Sequence, residues 1–273
     1  GTAQIASLIG KNNQIKFFEK IGFNKKINIE NKEIAAPLGN KNNWGKLETA
    51  TIGFGHGFAI TPLHLVKAYA TLANNGIDFL TDASTNNSPF FMYLAFNAPH
   101  DPRQSPQSFV NRYPLDRIEV PVNFVPKYKY EEEMGCGPAV RDERLAPFPR
   151  NEYAVKVNRQ EYYALITHMD EQIGRILEAL DKTGLTDSTY VIFTADHGYH
   201  MGEKDNLAKT TIWEESTRIP LVIHAPGVSE VGTKINHPVS LIDLYPTLID
   251  LANLPLNPNK DGNGYELDGH SIK

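Results

Sequence analysis

Cysteine is almost absent: Cys136 is the only one in 273 residues, which excludes an internal disulfide and a thiolate zinc cluster. No apolar run approaches the roughly 18 residues needed to span a bilayer. The start, Gly1-Thr2-Ala3-Gln4, lacks both an initiator Met and the basic-then-apolar order of a signal peptide. Arginine is missing from residues 1–80, which hold nine Lys and five acids for a net of +4, whereas residues 81–273 hold nine Lys, nine Arg and 27 acids for a net of −9. The total of −5 is mildly acidic and argues against nucleic acid as the main partner. What remains is ordinary, with 41% hydrophobic and 22% charged residues, enough for a sizeable core and unlike a disordered chain. The change in Lys and Arg usage divides the chain near residue 80. It reads either as a small first domain with a basic surface or as a segment of different origin.

In the first segment, residues 2–10 and 14–21 read as two short helices with Ala, Ile, Leu and Phe on one face and Gly22 at the end of the second. Thr61-Pro62 opens a helix through Leu63, Leu65, Val66, Tyr69, Ala70 and Leu72, and Asn74-Asn75-Gly76 reads as its stop. Gly53, Gly55 and Gly57 have neither the spacing nor the preceding strand of a phosphate-binding loop.

In the second segment, three apolar runs end in polar clusters. Phe90–Phe96 reads as a strand buried on both faces and leads to Asn97-Ala98-Pro99-His100-Asp101-Pro102. Tyr190–Ala195 leads to Asp196-His197-Gly198, and Ile219–His224 leads to Ala225-Pro226-Gly227. Between the first two lies an amphipathic helix with Leu165, Ile166, Met169, Ile173, Ile176, Leu177 and Leu180 on one face and Gly184 as its stop. A further helix is expected over Leu241 to Ala252, kinked or divided by Pro246. Alternating strands and helices predict an α/β fold with a mostly parallel sheet flanked by helices. Such sheets bind ligands beyond the carboxyl ends of their strands, so His100 and the Asp196-His197 pair are the candidate site. An aspartate beside a histidine at a buried strand end is costly without a cation or a hydrogen-bond network, and both side chains can ligate a divalent cation. His200, His224, His237 and His270 read as core or surface residues.

The Glu48–Gly76 stretch resembles the transpeptidase domain of class B penicillin-binding proteins, a likeness that extends over most of residues 1–78. That family acylates a serine in Ser-x-x-Lys with help from Ser-x-Asn and Lys-Thr-Gly motifs, none of which occurs in the segment. Lys182-Thr183-Gly184 ends a helix elsewhere and is a decoy. Residues 88–273 resemble the type I sulfatases, closest to iduronate-sulfatase-like and choline-sulfatase-like members. The likeness rests on Phe90–Leu94 through His100-Asp101-Pro102, Thr194–Gly198 with Met201-Gly202-Glu203, Lys209, Arg218–Leu221 and Ser240–Leu248. It implies an alkaline-phosphatase-like fold and a calcium ion beside a hydrated formylglycine nucleophile. By motif, Asp196 is implied as a calcium ligand and His197 as a ligand or its neighbour. Lys209 is implied on a sulfate oxygen, and His100 on the sulfate or the leaving-group oxygen.

The resemblance also marks what is missing. Cys136-Gly137-Pro138-Ala139-Val140-Arg141 departs from the formylglycine pattern in both its Ser and its Arg spacing, and it follows the His100 run instead of preceding it. The paired early aspartates are absent too. The chain is therefore expected to join a penicillin-binding-protein fragment (1–80) to the later part of a sulfatase catalytic domain (81–273), with a junction near 77–88. A sulfatase fragment without its nucleophile is expected to be inactive alone; a transpeptidase fragment and a phosphate-ester hydrolase of the same superfamily are the alternatives. The expected ligands are calcium and a sulfated small molecule or carbohydrate, with a pocket rim shaped by the loop-rich residues 103–150. Both families act outside the cytoplasm, and a targeting segment of either would lie upstream of Gly1.

Overall fold

The structure is a computed structural model that describes residues 2–20, 45, 62–86, 88–101, 103–135, 137–255 and 267–273. Gly22, the glycines at 53, 55 and 57, Thr61 and Cys136 lie outside the described residues.

Two units are distinguished: residues 1–185 with 201–207, and residues 186–200 with 208–273. The division expected at 80/81 concerned origin, and these units are drawn elsewhere.

In the first unit, helix α1 (Thr2–Lys20) is broken by Gly10 at φ 75°, close to where two helices were expected. Its apolar residues do not share one covered face, since Phe18 is buried while Leu8 and Phe17 are exposed. Helix α2 (Pro62–Ser84) runs eight residues past Gly76, the expected stop. Tertiary packing explains the extension. Tyr69, Ala73 and Leu80 form a buried stripe, and Gly76 lies buried on it, with Leu94 and Ile176 carbons at the ordinary contact distances of 3.4 and 3.7 Å from a Cβ built there. Phe79 also meets Phe90 edge-on at 5.5 Å.

A single turn, α3 (Gln107–Val110), buries Phe109. Both α2 and α3 pack on the long helix α4 (Glu152–Lys182). Asn151 caps α4 by accepting from the Ala154 N–H at 2.8 Å. Gly184 ends it as expected, at φ 72°, in a Schellman turn where Leu185 N–H donates to Leu180 O and Gly184 N–H to Asp181 O. Replacing Asn151 with alanine should lower unfolding free energy by about 1 kcal/mol in a urea titration, the usual value of such a cap. Tyr69, Ala98 and Leu165 form the core with Phe96 and Met169 packed against them. His168 is buried beside them, 4.9 Å from the Phe109 ring; burial pushes its pKa down, which keeps it neutral there.

The expected strand at 90–96 is corrected. The segment forms no ladder among the described residues, and its burial alternates: Phe91 and Tyr93 are 74% and 80% exposed, whereas Phe90, Met92, Leu94 and Phe96 are half-buried. One face is covered, not two, which is the period-2 pattern of a half-buried extended chain.

In the second unit, β1 (Val191–Thr194) and β2 (Leu221–His224) pair antiparallel, with Val191 opposite His224 and Thr194 opposite Leu221. A mostly parallel sheet is therefore not what the described residues form; the fold is α/β with one two-stranded antiparallel sheet. Pro220 has no N–H to donate, so β2 begins after it. Between the strands lies the short helix α5 (Glu214–Thr217). Near the C-terminus a 3₁₀ turn at Leu241–Asp243 leads into α6 (Leu244–Leu251), so Pro246 falls in a first turn where no N–H is needed. Ser240 and Asp243 form a reciprocal capping box. Asp243 also accepts from His270 N–H at 3.1 Å, and the Ser240 and His270 amides hold its carboxyl below the usual carboxylate range.

Candidate functional site

His100 lies in the first unit, and Asp196, His197 and Lys209 lie in the second. Each group is described within its own unit.

His100 closes a turn in which its N–H donates to Asn97 O at 2.9 Å. Its Nδ1 is 3.1 Å from Asp101 O. A carbonyl only accepts, so Nδ1 carries the proton in this contact and Nε2 faces away from it. His100, Asp101 and Asp142 each place a ligand atom within 4.8 Å of the others. Guanidinium groups already serve these carboxylates: Arg141 Nε and Nη2 reach one Asp142 oxygen at 2.6 Å, and Arg103 Nη1 lies 3.9 Å from Asp101. The two guanidiniums balance the charge of the two carboxylates, and the side chains of His100, Asp101 and Asp142 could together hold a metal ion. Buried Arg103 also donates to Asn158 Oδ1 on α4. Arg141 ends the Cys136–Arg141 stretch and Asp142 follows it, and nothing in their spacing announced that they would join His100.

A second cluster in the first unit was not foreseen. The Arg150 side chain has no solvent exposure. It donates through Nη1 to Ala146 O at 2.6 Å and through Nη2 to Glu143 O at 2.7 Å and to the Glu143 carboxylate. Its Nε reaches Asp205 O at 3.2 Å and the Asp205 carboxylate at 3.3 Å. Glu143 accepts in turn from Leu207 N–H at 2.9 Å, and Asp205 from Tyr128 N–H at 3.2 Å. Burial pushes the Asp205 carboxyl up to about 6, with Glu131 and Glu143 adding to the rise and the Tyr128 amide and Arg150 opposing it. Asp205 sits at φ 70°, a left-handed conformation that aspartate tolerates better than most residues. The node thus pins residues 126–150 to the 203–207 turn.

In the second unit, Asp196 and His197 follow the end of β1 as expected. Asp196 is not buried there, however: its side chain is 87% exposed. The argument that burial demands a counter-charge therefore falls away, and geometry must carry the case for a cation. Asp196 Oδ1 accepts from the His197 N–H at 3.0 Å, which leaves Oδ2 turned toward His197 Nε2 at 3.7 Å. His197 Nδ1 donates to Gly198 O at 2.8 Å. That contact requires the proton on Nδ1; in the neutral ring the lone pair then lies on Nε2, the arrangement of a metal-ligating imidazole oriented by an outer hydrogen bond. The donor pair fits part of a divalent-cation shell.

Glycine is required at 198, because a Cβ there would lie 2.1 Å from Glu215 O, and Gly198 N–H donates to Ser216 O at 2.8 Å. Lys209 is half-buried on an irregular segment after Ala208. Of the histidines left without a role, His200 is fully buried, His224 sits in β2, and His237 and His270 are exposed.

Comparison with known proteins gives this arrangement a class. The phosphonate monoester hydrolase of Silicibacter pomeroyi superposes with a TM-score of 0.56 at 28% identity, covering 72% of this chain and 40% of that one. The chain thus has fold neighbours among hydrolases of the alkaline-phosphatase-like type. The sulfatase family model matches residues 16–254, and the chain belongs to the sulfatase family. A sulfatase of Formosa agariphila is 33% identical over 172 residues, which is 61% of this chain and 33% of that protein. Human iduronate 2-sulfatase is 31% identical over 218 residues, 67% of this chain and 39% of that protein. The chain therefore spans well under half the length of these relatives. The transpeptidase resemblance of residues 1–78 gains no support from the comparisons.

Proposed function

We propose that this chain carries the later part of a sulfatase catalytic centre, in which Asp196 and His197 hold a divalent cation and Lys209 and His100 meet the sulfate group. The observation that carries the reading is the placement of His197: with Nδ1 against Gly198 O, Nε2 lies beside Asp196 Oδ2. Such a cation, calcium by family, neutralises sulfate charge when bound. The chain's own residues do the rest. The Lys209 ammonium stabilises charge on a sulfate oxygen, and His100, with its proton on Nδ1, has Nε2 available to the ester oxygen once protonated. Iduronate 2-sulfatase acts, by its name, on a sulfated sugar acid, which favours a sulfated carbohydrate as substrate here.

The sequence supplies no formylglycine motif, so we propose that the chain alone turns over no ester. Calorimetric titration of calcium and manganese should show binding to the whole chain that weakens at least about tenfold in Asp196→Ala, the expected loss of one charged ligand. Equal affinity in both proteins would sink the cation assignment. Release of sulfate from an aryl sulfate, abolished by Lys209→Ala, would sink the inactivity. The likeness to a phosphonate monoester hydrolase favours a second reading as a phosphate- or phosphonate-ester hydrolase, tested by the same assay with an aryl phosphonate. For residues 1–78 the penicillin-binding fragment, and with it the chimeric junction at 77–88, stands as a proposal. Covalent labelling by a penicillin probe tests the fragment, and long-read sequencing of source DNA across codons 70–95 tests the junction.

A further inference from the structure

Lys209 lies on an irregular segment, yet both flanks of that segment are tied to one residue. The His200 N–H donates to Ala208 O at 2.7 Å, and His200 Nε2 is 2.7 Å from Thr211 Oγ1. Thr211 Oγ1 accepts from Trp213 N–H at 3.4 Å and is 3.0 Å from Ser216 Oγ. Ser216 is buried, and its carbonyl accepts from Gly198 N–H. Trp213 meets the His200 imidazole edge-on, with centroids 5.7 Å apart. All of these residues belong to the second unit. The contacts run Gly198, Ser216, Thr211, His200, Ala208, from the turn after Asp196-His197 to the residue before Lys209.

We propose that His200 is a positioning residue for Lys209, acting through Thr211 and Ser216 to hold the lysine segment in fixed register with the Asp196-His197 turn. A lysine ammonium on four rotatable carbons is placed only as well as its backbone, and misplacing a charge-stabilising group by about 1 Å costs on the order of 10²-fold in rate. Packing alone does not account for an imidazole here. His200 is completely buried, and a buried polar ring is unfavourable unless hydrogen-bonded. An apolar side chain would fill the same space at lower cost, and only the ring nitrogen reaches the Thr211 hydroxyl. The functional consequence rests on the reading of Lys209 as a sulfate contact; the positioning itself does not.

The test uses the whole chain with Thr211→Val, which removes the hydroxyl at nearly constant shape, Thr211→Ser, which keeps it, and His200→Leu. Amide hydrogen exchange at Lys209 and Thr210 should accelerate about tenfold in Thr211→Val and in His200→Leu, the effect of one lost hydrogen bond on local opening. Thr211→Ser should restore wild-type exchange. In wild type, the NMR signal of the ¹³C-dimethylated Lys209 amine should shift on addition of inorganic sulfate, and the shift should weaken in Thr211→Val. Unchanged exchange in Thr211→Val, or equal acceleration in Thr211→Ser, overturns the positioning role even if His200→Leu fails to fold. A wild-type Lys209 signal indifferent to sulfate overturns instead the reading of Lys209 and the functional half of the proposal.

Discussion

Replacing Arg150 with methionine should lower the unfolding free energy of this chain by about 3–5 kcal/mol, the range seen when one partner of a buried ion pair is removed. The guanidinium ties together three main-chain carbonyls, those of Ala146, Glu143 and Asp205, and the carboxylates of Glu143 and Asp205. Those acids are 1% and 4% exposed, so without Arg150 they keep their desolvation cost and lose their counter-charge. The ring of Phe148, 3.8 Å from the guanidinium carbon, loses its cation as well. Lysine is no substitute, because a single ammonium cannot reproduce the planar fork that serves three directions at once. Urea titration followed by helical circular dichroism measures the effect. A loss below about 1 kcal/mol, the value of an exposed pair, would show that the node is solvated and that residues 126–150 are not pinned through it.

None of that node was legible in the sequence. Glu143, Arg150 and Asp205 are separated by 7 and 55 positions, and no periodicity joins a proline-rich loop to a turn so far along the chain. Local signals served better. Gly184 ended α4, the runs ending at Ala195 and His224 gave β1 and β2, and Pro246 fell in the first turn of α6, just after a 3₁₀ turn. Each of those features depends on a few neighbouring residues. The errors came where distant packing overrode a local cue. Gly76 read as a helix stop because glycine usually is one, but it lies buried beside Leu94 and Ile176, and the packing on either side of it carries the helix on. Phe90–Phe96 read as a fully buried strand because it is apolar throughout, and apolar composition alone does not say how many faces are covered.

The candidate site shows the same division. Asp196, His197, Lys209 and His100 were visible as a pattern of motifs, and the first two sit at the end of β1 as expected. The expected reason was mistaken in part: Asp196 is exposed, and the case for a cation comes from the position of His197 Nε2 beside the Asp196 carboxylate, which only coordinates reveal. His200 had no assigned role, although it lies three residues after His197 and its two hydrogen bonds bracket Lys209. The signal that could have found it is a second histidine in the short Gly198–Glu203 turn.

Asp205→Asn should stabilise the chain at neutral pH, the opposite sign to Arg150→Met in the same cluster. The Asp205 carboxyl is raised from 3.8 to about 6 in the folded chain. The folded state therefore holds the proton more tightly than the unfolded state does. The corresponding stability is fully present below about pH 4, is lost as pH rises through about 6, and stays lost at neutral pH. Two pKa units correspond to about 3 kcal/mol, an upper figure for the gain on substitution. Asparagine keeps an oxygen for the Tyr128 amide and tolerates the left-handed backbone, while Arg150 retains Glu143 as its charged partner. Two further acids, Glu131 and Glu143, bear on Asp205 against one guanidinium, Arg150, so removing one acid relieves repulsion whereas removing the guanidinium compounds it. Two consequences follow for urea midpoints measured from about pH 4 to neutral pH. The wild-type decline through about pH 6 should flatten in Asp205→Asn, and Arg150→Met should cost less in the Asp205→Asn background than in wild type. A variant that is less stable than wild type at neutral pH, with its pH dependence unchanged, would mean that the ionised Asp205 is favourably paired and that the cluster draws stability from its charge.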